Sequence, residues 1–312
     1  MHVLVTGAGG FVGRAVVARA LAMGHGVTGI DVPGAPVPAG ATAIVGDLAD
    51  RAVRDAALAA GFDALIHLAT VPGGAAETDP ALSRRINVDA MYDLLAEAGT
   101  QRPGLRVVFA SSIAVFGDPL PARVDDATPL APRMIYGGHK AMMEQAMAMF
   151  SHRGLIDGIS LRLPGILARP QGPSGLKSAF LSDLFHALRA GREAICPVSA
   201  QGTIWAQSLE CCAANLVHAL ACNTAPLPPT RALTLPALRL RMADLADEIA
   251  RQCAVSPGLV RFVPDAALEA TFAAQPPLFT PAAEAAGFCH DGDAARLVAR
   301  ALAAIEQEEM GA

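Results

Sequence analysis

Aromatic residues and lysine are scarce in this chain. Phe, Trp and Tyr make up 4% of its 312 residues, so the core must consist mainly of small aliphatic side chains. Only two lysines are present, Lys140 and Lys177, and arginine fills the other basic positions. Since Lys offers a compact, mobile ammonium group that Arg cannot replace, a lysine kept in such a chain is a candidate for a chemical role.

Several classes of protein are disfavoured by what is missing. The net charge is -5 and no basic cluster is present, which argues against nucleic acid or a membrane surface as partner. No uninterrupted apolar run approaches the roughly 18 residues that indicate a membrane-spanning helix. The chain enters an apolar strand at residue 2 with no charged segment before it, so we expect no signal peptide.

The six cysteines form no Cys-x-x-Cys pair, and none has a histidine at ligand spacing. We therefore expect no structural metal, and free thiols that fit a reducing cytoplasm. Cys211, Cys212 and Cys222 lie in an Ala/Leu-rich helical stretch, where buried apolar packing is expected.

The first half of the chain alternates strand and helix signals. Short, continuously apolar strands between helices are typical of a parallel sheet covered on both faces, so the pattern predicts a doubly wound α/β domain. The expected strands are 3–5, 26–31, 43–45, 64–68, 106–110 and 158–162. The expected helices are 11–23, 51–60, 80–99 and 136–150.

The composition changes after Pro164, where prolines and glycines cluster. We expect helices over 176–190, 207–222, 241–254 and 292–308, and short strands over 231–235 and 259–262. This pattern predicts a smaller C-terminal substrate lobe made of 164–205 and 231–290. The main domain would then comprise 1–163, with 206–230 and 291–312 returning to it.

A glycine motif lies between the first strand and the first helix, in Thr6-Gly-Ala-Gly-Gly-Phe-Val-Gly13. Gly7 allows the tight turn, Gly10 lets the backbone approach a pyrophosphate, and Gly13 lets the helix pack closely on the strand. The helix N-terminus offers free N–H groups to the phosphates. The motif therefore predicts a dinucleotide cofactor.

Two aspartates indicate which dinucleotide is bound. Asp31 ends the second strand, where a carboxylate can accept both ribose hydroxyls of adenosine and would repel a 2′-phosphate. No arginine follows it in Val-Pro-Gly34, so we expect NAD rather than NADP. Asp47 follows the third strand and is placed either to contact the adenine or to cap helix 51–60.

Tyr136 and Lys140 lie four residues apart in Tyr-Gly-Gly-His-Lys. On a helix this spacing puts both side chains on one face, so the ammonium group would lie near the phenol. A neighbouring cation lowers the pKa of tyrosine from about 10, which makes the phenol a usable proton donor and acceptor. The alternative is a pair of surface neighbours with no role.

Together these residues resemble an extended short-chain dehydrogenase/reductase, a family with the Rossmann fold. The resemblance covers most of the chain. It rests on the glycine motif, Asp31, Asp47-Leu48, His67-Leu68-Ala69, Asn87-Val88, the Ser111–Gly117 segment and Tyr136-x-x-x-Lys140.

The resemblance implies roles for three of these residues. Tyr136 would be the catalytic acid/base, Lys140 would hold the nicotinamide ribose and tune the tyrosine, and Ser112 would hydrogen-bond the reacting oxygen. The implied cofactor-binding set is Gly7, Gly9, Gly10, Phe11, Val12, Gly13, Asp31, Asp47, Leu48, Leu68, Ala69, Thr70, Asn87, Ala110, Ser111, Tyr136, Lys140, Leu163, Pro164 and Ile166.

Further segments narrow the resemblance, namely 116–121, 153–158, 161–164, 169–170 and 196–198, with Trp205-x-x-Ser208 and Asn215-Leu-x-His-Ala219. By these segments the chain is similar, within that family, to enzymes of the D-erythronate dehydrogenase type. This likeness implies NAD-linked oxidation of a secondary hydroxyl on a small sugar acid to a keto acid. The substrate-binding candidates are Val71, Ser112, Ile113, Tyr136, Arg169, Lys177, Ser178, Trp205 and Ser208. The chain departs from the pattern at Lys177, Asp183, His186 and segment 275–280, where specificity should be determined.

Several of these residues also have structural interpretations. Lys177 fits a solvated loop, Arg169 fits a structural salt bridge, and Trp205 fits core packing. Asn87 fits either a structural hydrogen bond or a solvent relay. We expect His67 to be packed at a strand end, and we expect His139 to point away from the Tyr–Lys pair without a catalytic role.

Two other functions remain open. An epimerase or dehydratase of nucleotide sugars would use the same three residues and NAD, with a diphosphate clamp drawn from the lobe arginines Arg231, Arg239, Arg241, Arg251 and Arg261. A dinucleotide-sensing protein would need the glycine motif and Asp31 but not the Tyr–Lys pair. In similar proteins, helices equivalent to 80–99 and 136–150 form a two-fold interface, so we expect a homodimer.

Overall fold

The structure of the protein is a computed structural model that describes residues 1–117, 119–171 and 178–311. Its strands, in chain order, are β1 (His2–Thr6), β2 (Gly26–Asp31), β3 (Thr42–Val45), β4 (Ala64–His67), β5 (Leu105–Ser112), β6 (Ile156–Leu163), β7 (Gly165–Ile166), β8 (Ala194–Cys196), β9 (Thr203–Gln207), β10 (Ala232–Thr234), β11 (Leu238–Arg241) and β12 (Val260–Phe262).

The helices are α1 (Phe11–Ala22), α2 (Arg51–Ala59), α3 (Gly73–Thr78), α4 (Pro80–Arg84), α5 (Met91–Gln101), α6 (Ile135–His152), α7 (Phe180–Arg189), α8 (Leu209–His218), α9 (Met242–Gln252), α10 (Ala266–Phe272), α11 (Pro281–Ala285) and α12 (Ala294–Gly311). A π-helical stretch, Arg85–Ala90, joins α4 to α5, so the predicted helix 80–99 is one helical run with a wider turn inside it.

The main sheet has seven strands in the order β10-β6-β5-β4-β1-β2-β3, and all its pairings are parallel. Val3 and Val5 face a core shared with α1 and α8, whereas Leu4 faces the opposite core, shared with α5 and α6. This alternation follows from the two-residue period of a strand. The predicted doubly wound, Rossmann-type α/β fold is confirmed.

The direction of strand order reverses between β1 and β4. In an open parallel sheet, this switch point leaves a crevice at the carboxyl ends of the two strands, which is where ligands bind. Thr6 and His67 end these strands, and both are buried. The fold therefore places the glycine motif and the Leu68–Val71 segment on either side of one crevice.

The remaining strands form two small sheets, β11-β9-β7 and β12-β8. They surround a separate apolar cluster that also contains side chains of α7, α9 and α12. We expected 231–235 in the smaller lobe, but β10 pairs in parallel with β6 and is the outermost strand of the main sheet. The division into lobes as a whole stays a prediction.

Four thiols are buried, including those of the α8 pair Cys211 and Cys212 and of Cys222, as expected from their apolar surroundings. Across the described ranges, no helix is both long and apolar enough to cross a bilayer.

Candidate active site

A cavity of about 890 Å³ opens at the carboxyl ends of the main-sheet strands and extends towards the second, three-stranded sheet. Most of the residues expected at the site line it. They are Gly7, Gly10, Phe11, Val12, Gly13, Asp31, Asp47, Leu48, Leu68, Ala69, Thr70, Val71, Ala110, Ser111, Ser112, Ile113, Tyr136, Lys140, Leu163, Pro164, Ile166, Arg169, Ser178 and Trp205.

The glycine motif forms a cradle at the start of α1. Gly10 is the N-cap residue, no side chain caps it, and the first turn carries no acidic residue, so the first N–H groups of the helix remain available to an anion. A Cβ atom at Gly13 would lie 1.9 Å from the Gly7 carbonyl oxygen, so only glycine lets the helix start this close to the turn. These features fit the pyrophosphate of a dinucleotide.

Asp31 lies at the end of β2 and faces the same cavity. Its Oδ2 accepts a hydrogen bond from the Gly9 N–H at 2.8 Å, and its Oδ1 accepts one from the Val32 N–H at 2.8 Å. Each carboxylate oxygen keeps a second lone pair for a ribose hydroxyl. Gly9 does not line the cavity and instead holds this carboxylate in place.

Asp47 pairs with an arginine that the sequence did not single out. Its Oδ1 accepts from Ala49 N–H at 2.9 Å, and its Oδ2 lies 2.8 Å from a guanidinium nitrogen of Arg85. Both Asp47 and Arg85 line the cavity, whereas the N-cap of α2 is Asp50. Arg85 begins the π-helical stretch, a local geometry without a sequence signal that would have identified it.

Asn87 holds the loop after β4 in place by hydrogen bonds and does not line the cavity. Its Oδ1 accepts from Val71 N–H at 2.6 Å and from the Thr70 hydroxyl at 3.1 Å, while its Nδ2 donates to the Val71 carbonyl at 2.9 Å and to Ser83 Oγ at 3.1 Å. Of the two roles expected for it, the structure shows the structural one. Thr70 and Val71 are thereby fixed at the cavity wall.

Ser112 and Tyr136 are brought together by the start of α6. Ser112 ends β5 and accepts a hydrogen bond from Ala114 N–H at 3.1 Å, which fixes the turn that follows. A Cβ atom at Gly137 would lie 2.0 Å from the Ala114 carbonyl oxygen, so glycine beside Tyr136 lets α6 approach this turn. Tyr136 is half-buried, and both side chains line the cavity.

Lys140 is buried at the base of the same site. Its Nζ donates to the Ala110 carbonyl at 2.7 Å and lies 5.5 Å from the centre of the Tyr136 ring. Burial lowers the pKa of Lys140 to about 7, and the nearby Glu144 carboxylate works in the opposite direction. The ammonium group is therefore close to the phenol, as the spacing predicted.

The predicted effect on the phenol is wrong in sign. Burial raises the pKa of Tyr136 above its usual value, and this effect outweighs the Arg169 guanidinium and the Ser112 hydroxyl, which both lower the pKa. The cation that favours the phenolate is thus Arg169, which lies 33 residues along the chain. The sequence argument considered only the i+4 neighbour and omitted desolvation.

Arg169 projects into the cavity from the chain after β7. Ala168 precedes it with φ 58°, a left-handed conformation that costs an alanine about 1 kcal/mol and reverses the chain direction here. The Arg169 backbone is held at both ends: its N–H donates to Ser182 Oγ at 3.0 Å, and His186 Nε2 donates to its carbonyl at 2.7 Å. Its guanidinium carbon lies 5.1 Å from the Phe11 ring centre.

No carboxylate within the described ranges forms an ion pair with Arg169, so the structural salt bridge considered for it is not found there. Arg169 is half-buried, and this burial lowers its pKa. Two positions where the sequence departs from the D-erythronate dehydrogenase pattern lie beside it. Asp183 lines the cavity, and His186 bonds the Arg169 carbonyl.

Two other substrate candidates have structural contacts, and a third is not described. Ser208 is buried as the N-cap of α8, where its hydroxyl donates to Asp291 at 2.6 Å, and it does not line the cavity. Trp205 lines the cavity with only 1% of its surface exposed and donates from Nε1 to the Pro276 carbonyl at 2.7 Å. Lys177 lies outside the described residues.

Both histidines lie where they were expected. His67 is buried, and its Nδ1 lies 2.9 Å from the Thr6 hydroxyl; burial lowers its pKa to about 3, so the ring is neutral. His139 Nδ1 lies 2.9 Å from the Ser83 hydroxyl, away from the cavity.

A strap of residues 270–279 closes the far end of the cavity. Ala270, Thr271, Phe272 and Gln275 line the wall. The strap is hydrogen-bonded to β9 on one side, with Gln275 N–H donating to the Thr203 carbonyl at 3.1 Å. On its other side, Phe279 N–H donates to the Val124 carbonyl at 2.9 Å, in the segment that leads into α6.

The lobe arginines considered for a diphosphate clamp do not line the cavity. Arg231 pairs with Asp157 at 3.0 Å, Arg241 with Asp244, and Arg251 with Glu248. Arg239 donates to the Gln275 carbonyl at 2.8 Å, and Arg261 is exposed. The basic side chains that do line the cavity are Arg85, Arg133, Lys140 and Arg169 among the residues described.

Comparisons with known proteins show what the chain as a whole is similar to. A family model described as the NAD dependent epimerase/dehydratase family matches residues 3–207. A D-erythronate dehydrogenase from Cupriavidus necator is 34% identical over 268 residues, which cover 80% of this chain and 82% of the relative. One from Haemophilus influenzae is 34% identical over 187 residues, covering 60% of this chain and 59% of the relative.

A solved structure shares the whole fold. The nucleoside-diphosphate-sugar epimerase from Agrobacterium tumefaciens is 30% identical and superimposes with a TM-score of 0.88, covering 100% of this chain and 95% of that chain.

Proposed function

The chain belongs to the NAD dependent epimerase/dehydratase family, and from that premise we propose that it oxidises a secondary hydroxyl of a small, D-erythronate-like sugar acid to a keto acid. The observation that carries the proposal is the convergence of Ser112, Tyr136 and Arg169 on the same cavity as the glycine motif and Asp31. The two D-erythronate dehydrogenases among its relatives support the substrate class.

The reaction needs a base beside the substrate hydroxyl and a donor for its oxygen. Bound NAD⁺ supplies the hydride acceptor. In its phenolate form Tyr136 takes the hydroxyl proton, and the Ser112 hydroxyl donates a hydrogen bond to the same oxygen as it becomes a carbonyl. Lys140 holds a positive charge next to the phenolate while it remains protonated.

The acid group of the substrate needs a cation, and Arg169 is the one best placed for it. It lines the cavity, contributes to the charge felt by Tyr136 and has no carboxylate partner among the described residues. A buried guanidinium can bind a carboxylate through two parallel hydrogen bonds. Substrate binding would then place the acid group at Arg169 and the hydroxyl at Tyr136.

A nucleotide-sugar epimerase is the second candidate, because the Agrobacterium tumefaciens structure shares the fold over the whole chain. Such an enzyme would return the hydride to its product and would bind a diphosphate. The five lobe arginines lie outside the cavity wall, which favours the small acid.

A substrate screen tests the proposal. We expect NADH absorbance to build up with D-erythronate or another four- to six-carbon sugar acid. Nucleotide sugars should give no net NADH. Conversion of a nucleotide sugar to its epimer, with NAD retained by the protein, would support the second candidate instead.

Replacement of Tyr136 by Phe separates catalysis from binding. Removal of one proton-transfer group should lower kcat by roughly 10²- to 10⁴-fold. The affinity for NAD, measured by titration, should change little. If the wild-type protein bound NAD but oxidised none of these substrates, and Tyr136→Phe changed no measurable property, the chain would be a dinucleotide-binding protein without turnover.

A further inference from the structure

A buried charged network lies directly behind Lys140. Glu144, one helical turn further along α6, has 1% of its surface exposed. Both of its carboxylate oxygens accept hydrogen bonds from the Arg162 guanidinium of β6, at 3.0 Å for Nε and 2.8 Å for the terminal nitrogen. The Ser111 hydroxyl donates to the same carboxylate at 2.5 Å.

This network connects the three elements that carry the site. Ser111 and Arg162 are register partners on β5 and β6, and Glu144 reaches both from α6. Ser111 lies between Ala110, whose carbonyl accepts from Lys140, and the candidate catalytic Ser112. One carboxylate thus links α6, which carries Tyr136 and Lys140, to the ends of β5 and β6.

The Lys140 ammonium group has few charged neighbours. Glu144, on its own helix, is the only carboxylate that contributes to its pKa among the described residues. His67 of β4 lies close enough for the lysine charge to lower its own pKa, and it is neutral. The rings of Phe109 and Tyr136 lie 4.7 Å and 5.5 Å from Nζ.

A buried ion pair in this place is costly, since two desolvated charges rarely stabilise a fold more than apolar side chains of the same volume. The pair is therefore better explained by its effect on a neighbour than by stability. We propose that Glu144, held by Arg162 and Ser111, is a positioning residue that sets both the location and the charge of Lys140. This inference rests on the proposed role of Lys140 beside Tyr136.

The two-lysine composition provides a direct test that needs no substrate. In the full chain labelled with [ε-¹³C]lysine, only Lys140 and Lys177 give signals, and the signal lost in Lys177→Arg identifies Lys177. A pH titration of the other signal then reports the pKa of Lys140. The variant to compare with the wild type is Glu144→Gln, which keeps the size of the side chain and removes its charge.

The direction of the change distinguishes the two explanations. If Glu144 sets the charge of Lys140, its loss lowers the pKa of Lys140 further, because the only favourable carboxylate is gone. If Glu144 serves only to hold the fold, its loss admits water and raises that pKa towards its usual value. An upward shift, or no shift, would overturn the proposal.

Glu97→Gln is the control, because Glu97 also pairs with a buried arginine, Arg54, at 2.9 Å, its own side chain being 28% exposed, and it does not contribute to the pKa of Lys140. It should leave the Lys140 titration unchanged. If Glu144→Gln does not fold, the double variant Glu144→Gln, Arg162→Met leaves no unpaired buried charge, and the Lys140 pKa should again fall.

Activity gives a second readout. In Glu144→Gln the alkaline limb of the kcat profile should move to lower pH, since the ammonium group is lost earlier as pH rises. The change in the Lys140 pKa and the enzyme activity test two different proposals. A downward shift in a protein that does not oxidise sugar acids would refute the proposed function alone, whereas oxidation without the shift would refute this inference alone.

Discussion

Replacing Arg169 by Met tests how the substrate is held. The guanidinium lies in a desolvated part of the cavity, and within the described ranges it forms no ion pair, so a substrate carboxylate would be its main partner. A hydrogen bond to a charged group contributes about 1.5–3 kcal/mol. At 1.4 kcal/mol per factor of ten, kcat/KM for D-erythronate should fall roughly 10- to 150-fold.

Arg169 also lowers the pKa of Tyr136, so its removal should act on any substrate. Without this cation the phenol is more basic, and the acid limb of the oxidation profile should move to higher pH. Erythritol has a neutral CH₂OH group in place of the carboxylate, so the loss of activity with erythritol measures only the effect of Arg169 on Tyr136. The ratio of the losses for D-erythronate and erythritol, measured by NADH absorbance at several pH values, isolates the carboxylate contact.

Arg251→Met is the control for this experiment, because Arg251 is an exposed lobe residue paired with Glu248 away from the cavity. It should leave both substrates unaffected. Equal losses for D-erythronate and erythritol at every pH would refute the anchoring role and leave Arg169 acting only through Tyr136.

Three other predictions follow from the same structure. Asp31→Asn should raise the KM for NAD roughly tenfold, because it weakens a charged hydrogen bond to the cofactor. It should also reduce the preference for NAD over NADP, measured as the ratio of kcat/KM for the two cofactors. An unchanged ratio would show that Asp31 does not select the cofactor. The pKa of His67 is lowered to about 3, so between pH 6.5 and 3 the imidazole is protonated in the unfolded state but not in the folded state. The free energy of unfolding should therefore fall by about 1.4 kcal/mol for each unit by which the pH is lowered through that window. Urea unfolding of His67→Gln should show a flatter profile there, and parallel profiles would contradict the assignment. Met142 of α6 and Tyr92 of α5 are 55% and 43% exposed on the two helices expected to form the dimer interface. Met142→Glu should therefore convert the expected dimer to a monomer in light scattering, whereas Met23→Glu, at an equally exposed residue, should not. A monomeric wild-type protein would refute the dimer proposal.

The local part of the site could be predicted from the sequence. The glycine motif, Asp31 and the Tyr136–Lys140 pair depend on short-range geometry, since a strand–turn–helix and one helical turn fix where these residues point. The structure places Gly7, Gly10, Gly13, Asp31, Tyr136 and Lys140 around one cavity. Continuous apolar strands likewise sufficed for the parallel sheet.

Contacts between distant segments could not be predicted. Ser208 looked like a pocket residue, but its partner Asp291 lies 83 residues away and makes it a buried helix cap. The Tyr136 pKa is raised by desolvation, and the cation that opposes this rise is Arg169; the i+4 spacing contains neither effect. The parallel pairing of β10 with β6 in the main sheet could not be predicted either, because the sequence of a three-residue strand is too short to indicate which strand it pairs with.

The strap has a consequence for how this scaffold can change. It belongs to neither the glycine cradle nor the α6 face, and it is held by backbone hydrogen bonds to Thr203 and Val124 and by the Gln275 side chain, which accepts from the Trp205 N–H. Loop exchange within 270–279 could therefore shorten or lengthen the room available to a reactant while leaving the nucleotide end intact. At this end the cavity wall is a short peptide segment and not a strand of the main sheet, so its length can change without altering the nucleotide-binding fold.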